Sequence, residues 1–406
     1  MRREEFARLL NLEASSLLAE VGELDAKADV VRLVSRLRSK GHDAQLVAAV
    51  LTQAKLRKRA RLKFGEFASS MLFTEDGLEQ ASRLQVAALH AGRFRDAGLS
   101  KIADLGCGIG TESMALASLG IQVTAFEMDE VAAAAATYNL ASFDNAEVRQ
   151  ADVTQVNLSE FDGLFLDPAR RELSGVKRAQ ARRKFDPNEY SPNFDFVLQV
   201  ANSKPAGVKL GPGHPHDAIP EDAEAQWISV DGDLVELTLW FGAVARPSVA
   251  RSALLVTNGQ RHELTSASHK AMQADIGELG KYLYEPDNSV IRSHLIAELA
   301  TQLDLRLIAP EIAYLTSDHP INSPWLRGFE VLEVLPFDRK QLKAYLRERG
   351  VGILEIKKRG ADVVPEQLRK ELALKGENAA TLVVTRVGDA HRAIIAKPIS
   401  GLAAEN

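Results

Sequence analysis

Ile102-Ala-Asp-Leu-Gly-Cys-Gly-Ile-Gly110, running on into Thr111-Glu-Ser-Met-Ala-Leu-Ala-Ser-Leu-Gly120, decides how the rest of this chain is read. A short apolar run ends near Asp104, glycines fall at 106, 108 and 110, and an apolar-periodic segment follows. That order predicts strand, tight turn and helix, with Thr111 as N-cap and Gly120 as C-terminal stop. Glycines let the backbone approach a ligand where a Cβ would collide, and a helix N-terminus adds unpaired N–H groups beside the same spot. An adenosine-like or phosphate-like head is the natural occupant.

Upstream, residues 1 to about 95 read as helical. Leu9, Leu10, Leu17, Leu18, Val21, Val31, Val34 and Leu37 recur at near-helical spacing, and no proline occurs before Pro168. Lys55-Leu-Arg-Lys-Arg-Ala-Arg-Leu-Lys63 is a basic run that reads as a solvated helix face, with a nucleic-acid contact as the alternative. In Met71-Leu-Phe-Thr-Glu-Asp-Gly-Leu-Glu-Gln-Ala81, Thr74 and Gly77 suggest a loop entering a helix. Its place before the glycine turn suggests a lid over the ligand, or else a plain connector.

Downstream, strands alternate with helices. Strands are expected at 101–105, 122–127, 146–150, 161–167 and 207–210, with helices over 131–140 and 194–203, which implies a parallel sheet with crossovers. Residues 224–230 and 234–242 flank the hairpin signal Asp231-Gly-Asp233, and 253–257 precedes Asn258-Gly259, so antiparallel strands are expected at one edge. From about 262 onward helices and strands alternate on a smaller scale. Asp338 is the expected N-cap of a helix ending at Gly350, and 380–386 and 391–397 pair across Gly388-Asp389.

Three glycine-loop ligands compete. A phosphate loop needs a Gly-Lys-Ser/Thr ending, whereas Gly110 is followed by Thr-Glu. A nicotinamide fingerprint wants glycine or alanine where Thr111 stands. The run Asp104-Leu-Gly-Cys-Gly-Ile-Gly110 instead resembles the first motif of class I S-adenosylmethionine-dependent methyltransferases. The expected cofactor residues are then Asp104, Gly106, Gly108, Gly110, Glu127 and Asp152. Glu127 ends the second strand, where a carboxylate can accept from both ribose hydroxyls. Asp152 follows the third strand, where a carboxylate can accept from an adenine amino group, and Asp104 can hold the ligand's ammonium. With Asp167, these acids stand at successive strand C-termini, where α/β sheets bind ligands.

Leu166-Asp167-Pro168-Ala169-Arg170-Arg171 resembles the Asp/Asn-Pro-Pro-aromatic motif of methyltransferases that act on nucleobase nitrogen. Asp167 and Pro168 are the expected catalytic pair. Ala169 replaces the second proline and Arg170 the aromatic ring, although an arginine plane can also stack on a base. A basic run follows, containing Arg170, Arg171, Arg178 and Arg182, and its charges can track a phosphate backbone beside the site. Arg170, Arg171 and Arg178 are the candidate substrate-binding residues. His214 and His216 follow the fifth strand and can line the substrate mouth. Methyl transfer from a sulfonium rests on alignment more than on acid–base chemistry, so no Ser-His-Asp triad or metal is expected. Pyrimidine C5 chemistry needs a nucleophilic cysteine. Cys107, the one cysteine, lies inside the cofactor turn, badly placed for attack.

Leu72-Phe-Thr-Glu-Asp-Gly-Leu-Glu-Gln-Ala81, Asp167-Pro-Ala-Arg-Arg171, Tyr282-Leu-Tyr-Glu-Pro286 and Gly352-Ile-Leu-Glu-Ile-Lys-Lys-Arg-Gly360 together resemble a bacterial class I methyltransferase family. Its members carry a ferredoxin-like segment and a C-terminal THUMP-like domain, and it is distantly similar to trimethylguanosine synthase. The resemblance implies an α/β fold: a Rossmann-like class I methyltransferase sheet with an N-terminal helical region and a smaller C-terminal α+β (ferredoxin-like/THUMP-like) domain. It places a helical region at 1–95, the S-adenosylmethionine-binding domain at 96–260, the ferredoxin-like segment at 261–330 and the THUMP-like domain at 331–406. It implies S-adenosyl-L-methionine as cofactor and RNA, tRNA or rRNA, as partner. A small-molecule or protein methyltransferase and a non-catalytic RNA-binding module are the alternatives.

The chain has 406 residues, enough for two or three cores, and a net charge of −5 that argues against a globally basic nucleic-acid coat. A single cysteine excludes an internal disulfide framework and a cysteine-cluster metal site. No apolar run approaches a membrane span of about 18 residues. Met1-Arg-Arg-Glu-Glu5 lacks the start of a secretory signal, so a cytoplasmic protein without membrane or metal partners is expected.

Overall fold

The computed structural model describes residues 3–22, 27–170 and 190–399. The chain divides into two compact units, one of 1–210, 214–218 and 239–246, the other of 211–213, 219–238 and 247–406.

The first unit opens with helices α1 (Arg3–Ala7), α2 (Leu12–Val21), α3 (Lys27–Ser39), α4 (Ala44–Phe64), α5 (Glu75–Gln80) and α6 (Leu84–Asp96). The apolar periodicity of this region becomes a core in which Leu17, Leu37, Val50 and Phe64 pack with Phe73, Ile109 and Leu140. Each fully buried side chain of this size contributes roughly 1.5–3 kcal/mol. Then come β1 (Lys101–Leu105), α7 (Thr111–Ser118), β2 (Gln122–Glu127), α8 (Glu130–Leu140), β3 (Ala146–Gln150), β4 (Gly163–Leu166), β5 (Ala169–Arg170), β6 (Tyr190–Ser191), α9 (Phe194–Ala201) and β7 (Ala206–Leu210). The strands lie in the order β7-β4-β1-β2-β3, all parallel. β1 therefore sits at the switch point, with β2 on one side and β4 on the other, and the crevice beyond its C-terminal end is where such sheets take ligands. Behind the sheet His90 stacks on Phe165 at 5.4 Å and meets Trp240 edge-on at 5.5 Å. Gly207 makes room for this cluster, since a Cβ there would stand 2.7 Å from the Trp240 ring.

The second unit holds β8 (Glu224–Val230) and most of β9 (Asp233–Phe241), whose last three residues belong to the first. The turn between them has Asp231 at φ 51° and Gly232 at φ 84°, as the Asp-Gly signal requires. β10 (Arg251–Thr257) runs parallel to β8 and returns antiparallel into β11 (Gln260–Ser266) through Asn258-Gly259. The expected antiparallel edge is present.

A second sheet takes β12 (Tyr282–Pro286), then, after α10 (Asn288–Arg292) and α11 (Ile296–Leu303), β13 (Arg306–Leu307), β14 (Leu315–Ser317) and β15 (Leu326–Pro336). After α12 (Arg339–Glu348) follow β16 (Val351–Arg359), α13 (Pro365–Leu372), β17 (Asn378–Val387) and β18 (Ala390–Pro398), in the order β13-β14-β12-β15-β18-β17-β16. β15 pairs with β12 through its first residues and with β18 through its last, so residues 330 and 331 share one strand. Asp338 caps α12 by accepting from Gln341 N at 2.8 Å. Among the described residues no helix is long and apolar enough to cross a membrane.

Candidate active site

The glycine turn forms as the spacing predicts, with one correction. Gly106, Gly108 and Gly110 all have positive φ, at 85°, 56° and 87°. Gly110, not Thr111, is the N-cap of α7 and makes no side-chain cap, because the left-handed residue that turns the chain must be glycine. Thr111 is the first helical residue, and its hydroxyl is buried without a hydrogen-bond partner. Gly106 is needed for a second reason: a Cβ there would stand 2.8 Å from the Asp167 carbonyl oxygen. The turns after β1 and β4 thus touch across the switch point.

Those turns border a cleft of about 970 Å3 that all the predicted acids line. Asp104 is fully buried; its Oδ2 accepts from Ser113 Oγ at 2.6 Å, and its Oδ1 has no hydrogen-bond partner. Burial pushes its pKa up to about 7, against the Ser113 hydrogen bond and with Glu112 and Asp167 adding repulsion. Glu112, also buried, accepts or shares a proton with His90 Nδ1 at 3.1 Å, leaving its Oε1 unpartnered. Glu127 grips the turn: Oε2 accepts from Gly108 N at 2.9 Å and Oε1 from Asp129 N at 2.8 Å. Burial raises its pKa, and those backbone donors oppose the rise. Asp152 is exposed and caps a short 3-10 turn, accepting from the Thr154 backbone and hydroxyl, which lower its pKa. Buried carboxylates without a matching cation are costly, so this cleft fits a ligand that carries positive charge.

Asp167 meets Lys209, whose Nζ lies 2.5 Å from Oδ2 and also donates to the Gln80 carbonyl at 3.2 Å. Lys209 was not expected as a site residue. The available signal was its type: in Ala206-Gly-Val-Lys-Leu210 it is the one charge in an otherwise apolar parallel strand.

The segment expected as a lid or connector does line the cleft, through Thr74, Gly77 and Gln80 among others, and it is tightly held. Leu72 donates to and accepts from the Asn139 amide, and Phe73 does the same with Gln53. Asn139 reaches on to the Ile109 carbonyl at 2.9 Å, tying this segment to the glycine turn. Thr74 caps α5 as expected, accepting from Gly77 N at 2.9 Å. The basic run of α4 supplies the other ties: Arg57 Nε donates to Met71 O, Arg59 pairs with Glu75, and Lys63 Nζ donates to the carbonyls of Leu78, Glu79 and Ala81. Lys55, Lys58, Arg59 and Arg61 are exposed, as a solvated face requires, while the half-buried Arg57 and Lys63 are spent on holding this segment.

His214 does not line the cleft. It is fully buried, its ring 4.9 Å from Phe194 and 6.3 Å from Tyr190. Of the basic stretch after Pro168, Arg170 is described only through its backbone in β5, and Arg171 and Arg178 lie outside the described residues. Burial pushes the Cys107 thiol up, which disfavours a thiolate at this turn. Among the described residues no group of His, Cys, Asp and Glu is arranged to hold a metal ion.

Comparison with known proteins agrees with this geometry. Residues 67–184 match the family model described as methyltransferase small domain, 326–398 match THUMP domain-like, and 2–60 match a domain of unknown function. A putative methyltransferase from Porphyromonas gingivalis W83 shares the fold, with TM-score 0.69 at 19% identity, over 93% of this chain and 100% of that one. A protein of Mycobacterium tuberculosis described as an uncharacterized S-adenosylmethionine-dependent methyltransferase is 32% identical over 342 residues, 82% of this chain and 91% of its own length. With that identity over most of both chains, this chain belongs to the S-adenosylmethionine-dependent methyltransferases.

Proposed function

We propose that the enzyme methylates a nucleobase nitrogen in RNA, tRNA or rRNA. The observation that carries this reading is Asp167, followed by Pro168 at the end of β4: its carbonyl stands across from Gly106 and it lines the same cleft as the glycine turn. The THUMP domain-like match at 326–398 supports RNA as the partner, since the resemblance associates that domain with RNA binding.

The cofactor supplies a methyl group on a sulfonium. The unpartnered Asp104 Oδ1 suits its ammonium, Glu127 its ribose hydroxyls and Asp152 its adenine amino group, while Gly106 and Gly108 line the cleft without side chains; Gly110 does not line it, and a Cβ there would meet Ala136 and Leu140 of α8 instead. Asp167 accepts a hydrogen bond from the target N–H and orients that nitrogen's lone pair toward the methyl carbon. Bound there, the sulfonium would give its methyl carbon to that lone pair, its C–S electron pair staying with sulfur, and the proton released from the nitrogen would leave to solvent along the hydrogen bond to Asp167. Orientation of this kind is worth up to roughly 7–11 kcal/mol, which is why no further acid–base group is required.

The test is labelled-methyl transfer to total RNA from cells lacking the protein, followed by nucleoside mass analysis. Label in one RNA class, lost in Asp167→Ala while S-adenosylmethionine affinity stays within about twofold, is the expected result. Absence of label in every RNA size class overturns the RNA reading in favour of a small-molecule or protein substrate. Tight RNA binding with no methyl transfer by the wild type would leave a binding module.

A further inference from the structure

Where the resembled motif carries an aromatic ring beside its catalytic turn, this chain has Ala169 and Arg170. The fold brings a ring to the cleft from another element. β5 and β6 pair antiparallel, Ala169 with Ser191 and Arg170 with Tyr190, so the strand leaving the Asp167 turn runs beside the chain entering α9. Pro192 and Asn193 then line the cleft, and Asn193 opens α9 by accepting from Phe196 N at 2.9 Å. Helix α9 buries Phe194, Val197, Val200 and Ala201 on its inner face. Phe196 lies off that face, half-buried, and lines the cleft together with Asp167. Among the described lining residues it is the only aromatic side chain, and Lys209 the only basic one.

A half-buried phenyl ring in the same cleft as a hydrogen-bond acceptor is a combination that selects a planar ring bearing N–H. Base–aromatic stacking changes affinity by roughly five- to a hundredfold per base. Lys209, bonded to Asp167 Oδ2 and to the Gln80 carbonyl, fixes the direction in which that acceptor points. Among the described lining residues the acids Asp104, Glu127, Asp152 and Asp167 face a single lysine. A phosphate is repelled there, whereas an uncharged or cationic ring is not.

Resting on the nucleobase reading above, we infer that Phe196 is the stacking platform of a base-binding subsite that admits an unstacked, amino- or N–H-bearing heteroaromatic base and leaves its phosphates outside the cleft. The probe is 2-aminopurine riboside, titrated by its fluorescence into protein saturated with S-adenosylhomocysteine so that the cofactor site is closed to it. Wild type and Phe196→Tyr should quench the probe, and Phe196→Leu should bind it at least about tenfold more weakly with S-adenosylhomocysteine affinity and Tm unchanged. Phe196→Met, which keeps bulk without a ring face, guards against collapse of α9 and should behave like Phe196→Leu. Absence of quenching by the wild type, or equal quenching by Phe196→Leu and wild type, overturns the subsite. Phe196-dependent quenching with no methyl label in any RNA overturns the RNA reading and leaves the subsite standing. Methylation of RNA by Phe196→Leu at the wild-type kcat/KM overturns the subsite alone.

Discussion

Asp104 carries two opposed demands at the scale of one side chain. Its burial pushes the carboxyl up to about 7, whereas an unfolded-chain aspartate titrates near about 3.9. Between those values the folded ligand-free protein holds a proton that the unfolded chain has released. Its contribution to stability is therefore full below about pH 4 and is lost as pH rises through about 7. A cationic ligand favours the ionised form, so it reverses the balance. S-adenosylmethionine affinity should tighten from about pH 6 to about pH 8, with an inflection near 7 that calorimetric titration can read. Asp104→Asn should flatten that profile, weaken binding at the upper end by roughly ten- to a hundredfold, and melt higher than wild type at the same pH without ligand. A wild-type profile without inflection would remove Asp104 from the cofactor site. At this scale the acids were legible: Asp104, Glu127 and Asp167 stand at or beside the ends of strands announced by apolar runs, and Asp152 follows the alternating strand Ala146–Gln150. Lys209 carried only the signal of a charge in an apolar strand, and Phe196 none, because the sheet and the β5–β6 pairing bring them to the cleft from far along the chain.

Element by element, the segment before the glycine turn shows what local pattern can and cannot convey. Thr74 and Gly77 announced a helix start, and the helix is there. Nothing in 71–81 discloses that its backbone is satisfied by Gln53, Asn139 and Lys63, since those partners lie on α4 and α8. For the same reason the basic run of α4 reads as a solvated face, which Lys55, Lys58, Arg59 and Arg61 are, without showing that Arg57 and Lys63 hold the neighbouring segment. Asn139→Ala strands the Leu72 N–H and the carbonyls of Leu72 and Ile109 in a buried setting. At about 1–3 kcal/mol per stranded group, partly offset by relaxation, a loss of roughly 2–4 kcal/mol is expected in urea unfolding. S-adenosylmethionine affinity should fall with it, because Ile109 belongs to the cofactor turn. Gly77→Ala asks the same question sterically. Its Cβ would press on Ile109 Cγ2 and stand 2.6 Å from Thr74 Oγ1, the cap of α5. Overpacking of that kind costs about 1–3 kcal/mol, and the expected signature is weakened cofactor binding with far-ultraviolet ellipticity unchanged. Unaltered affinity in both variants would make the segment a connector and nothing more.

For the whole molecule, the alternation of strands and helices and the Asp-Gly and Asn-Gly hairpins made the parallel sheet and its antiparallel edge legible, since each is dictated by local period and turn chemistry. How β12 to β18 join in one sheet was not, because β15 divides its length between two partners far apart in sequence. Charge is the property at this scale that bears on substrate. The chain carries a net −5 and the described lining of its cleft is acidic, so phosphate contacts are expected from basic stretches outside that lining. Arg170, Arg171 and Arg178 follow Asp167-Pro168 in sequence and are the candidates. Each phosphate contact contributes about 0.7–0.9 to the slope of log affinity against log salt. Replacing all three with glutamine should therefore lower the slope for bulk tRNA by roughly 2, while Asp167→Asn, inside the cleft, should leave it unchanged. The two variants separate the tasks: one should bind RNA weakly yet still transfer methyl groups at saturating RNA, the other should bind and fail to transfer. A slope that stays the same in the arginine variant would move the phosphate track to another surface.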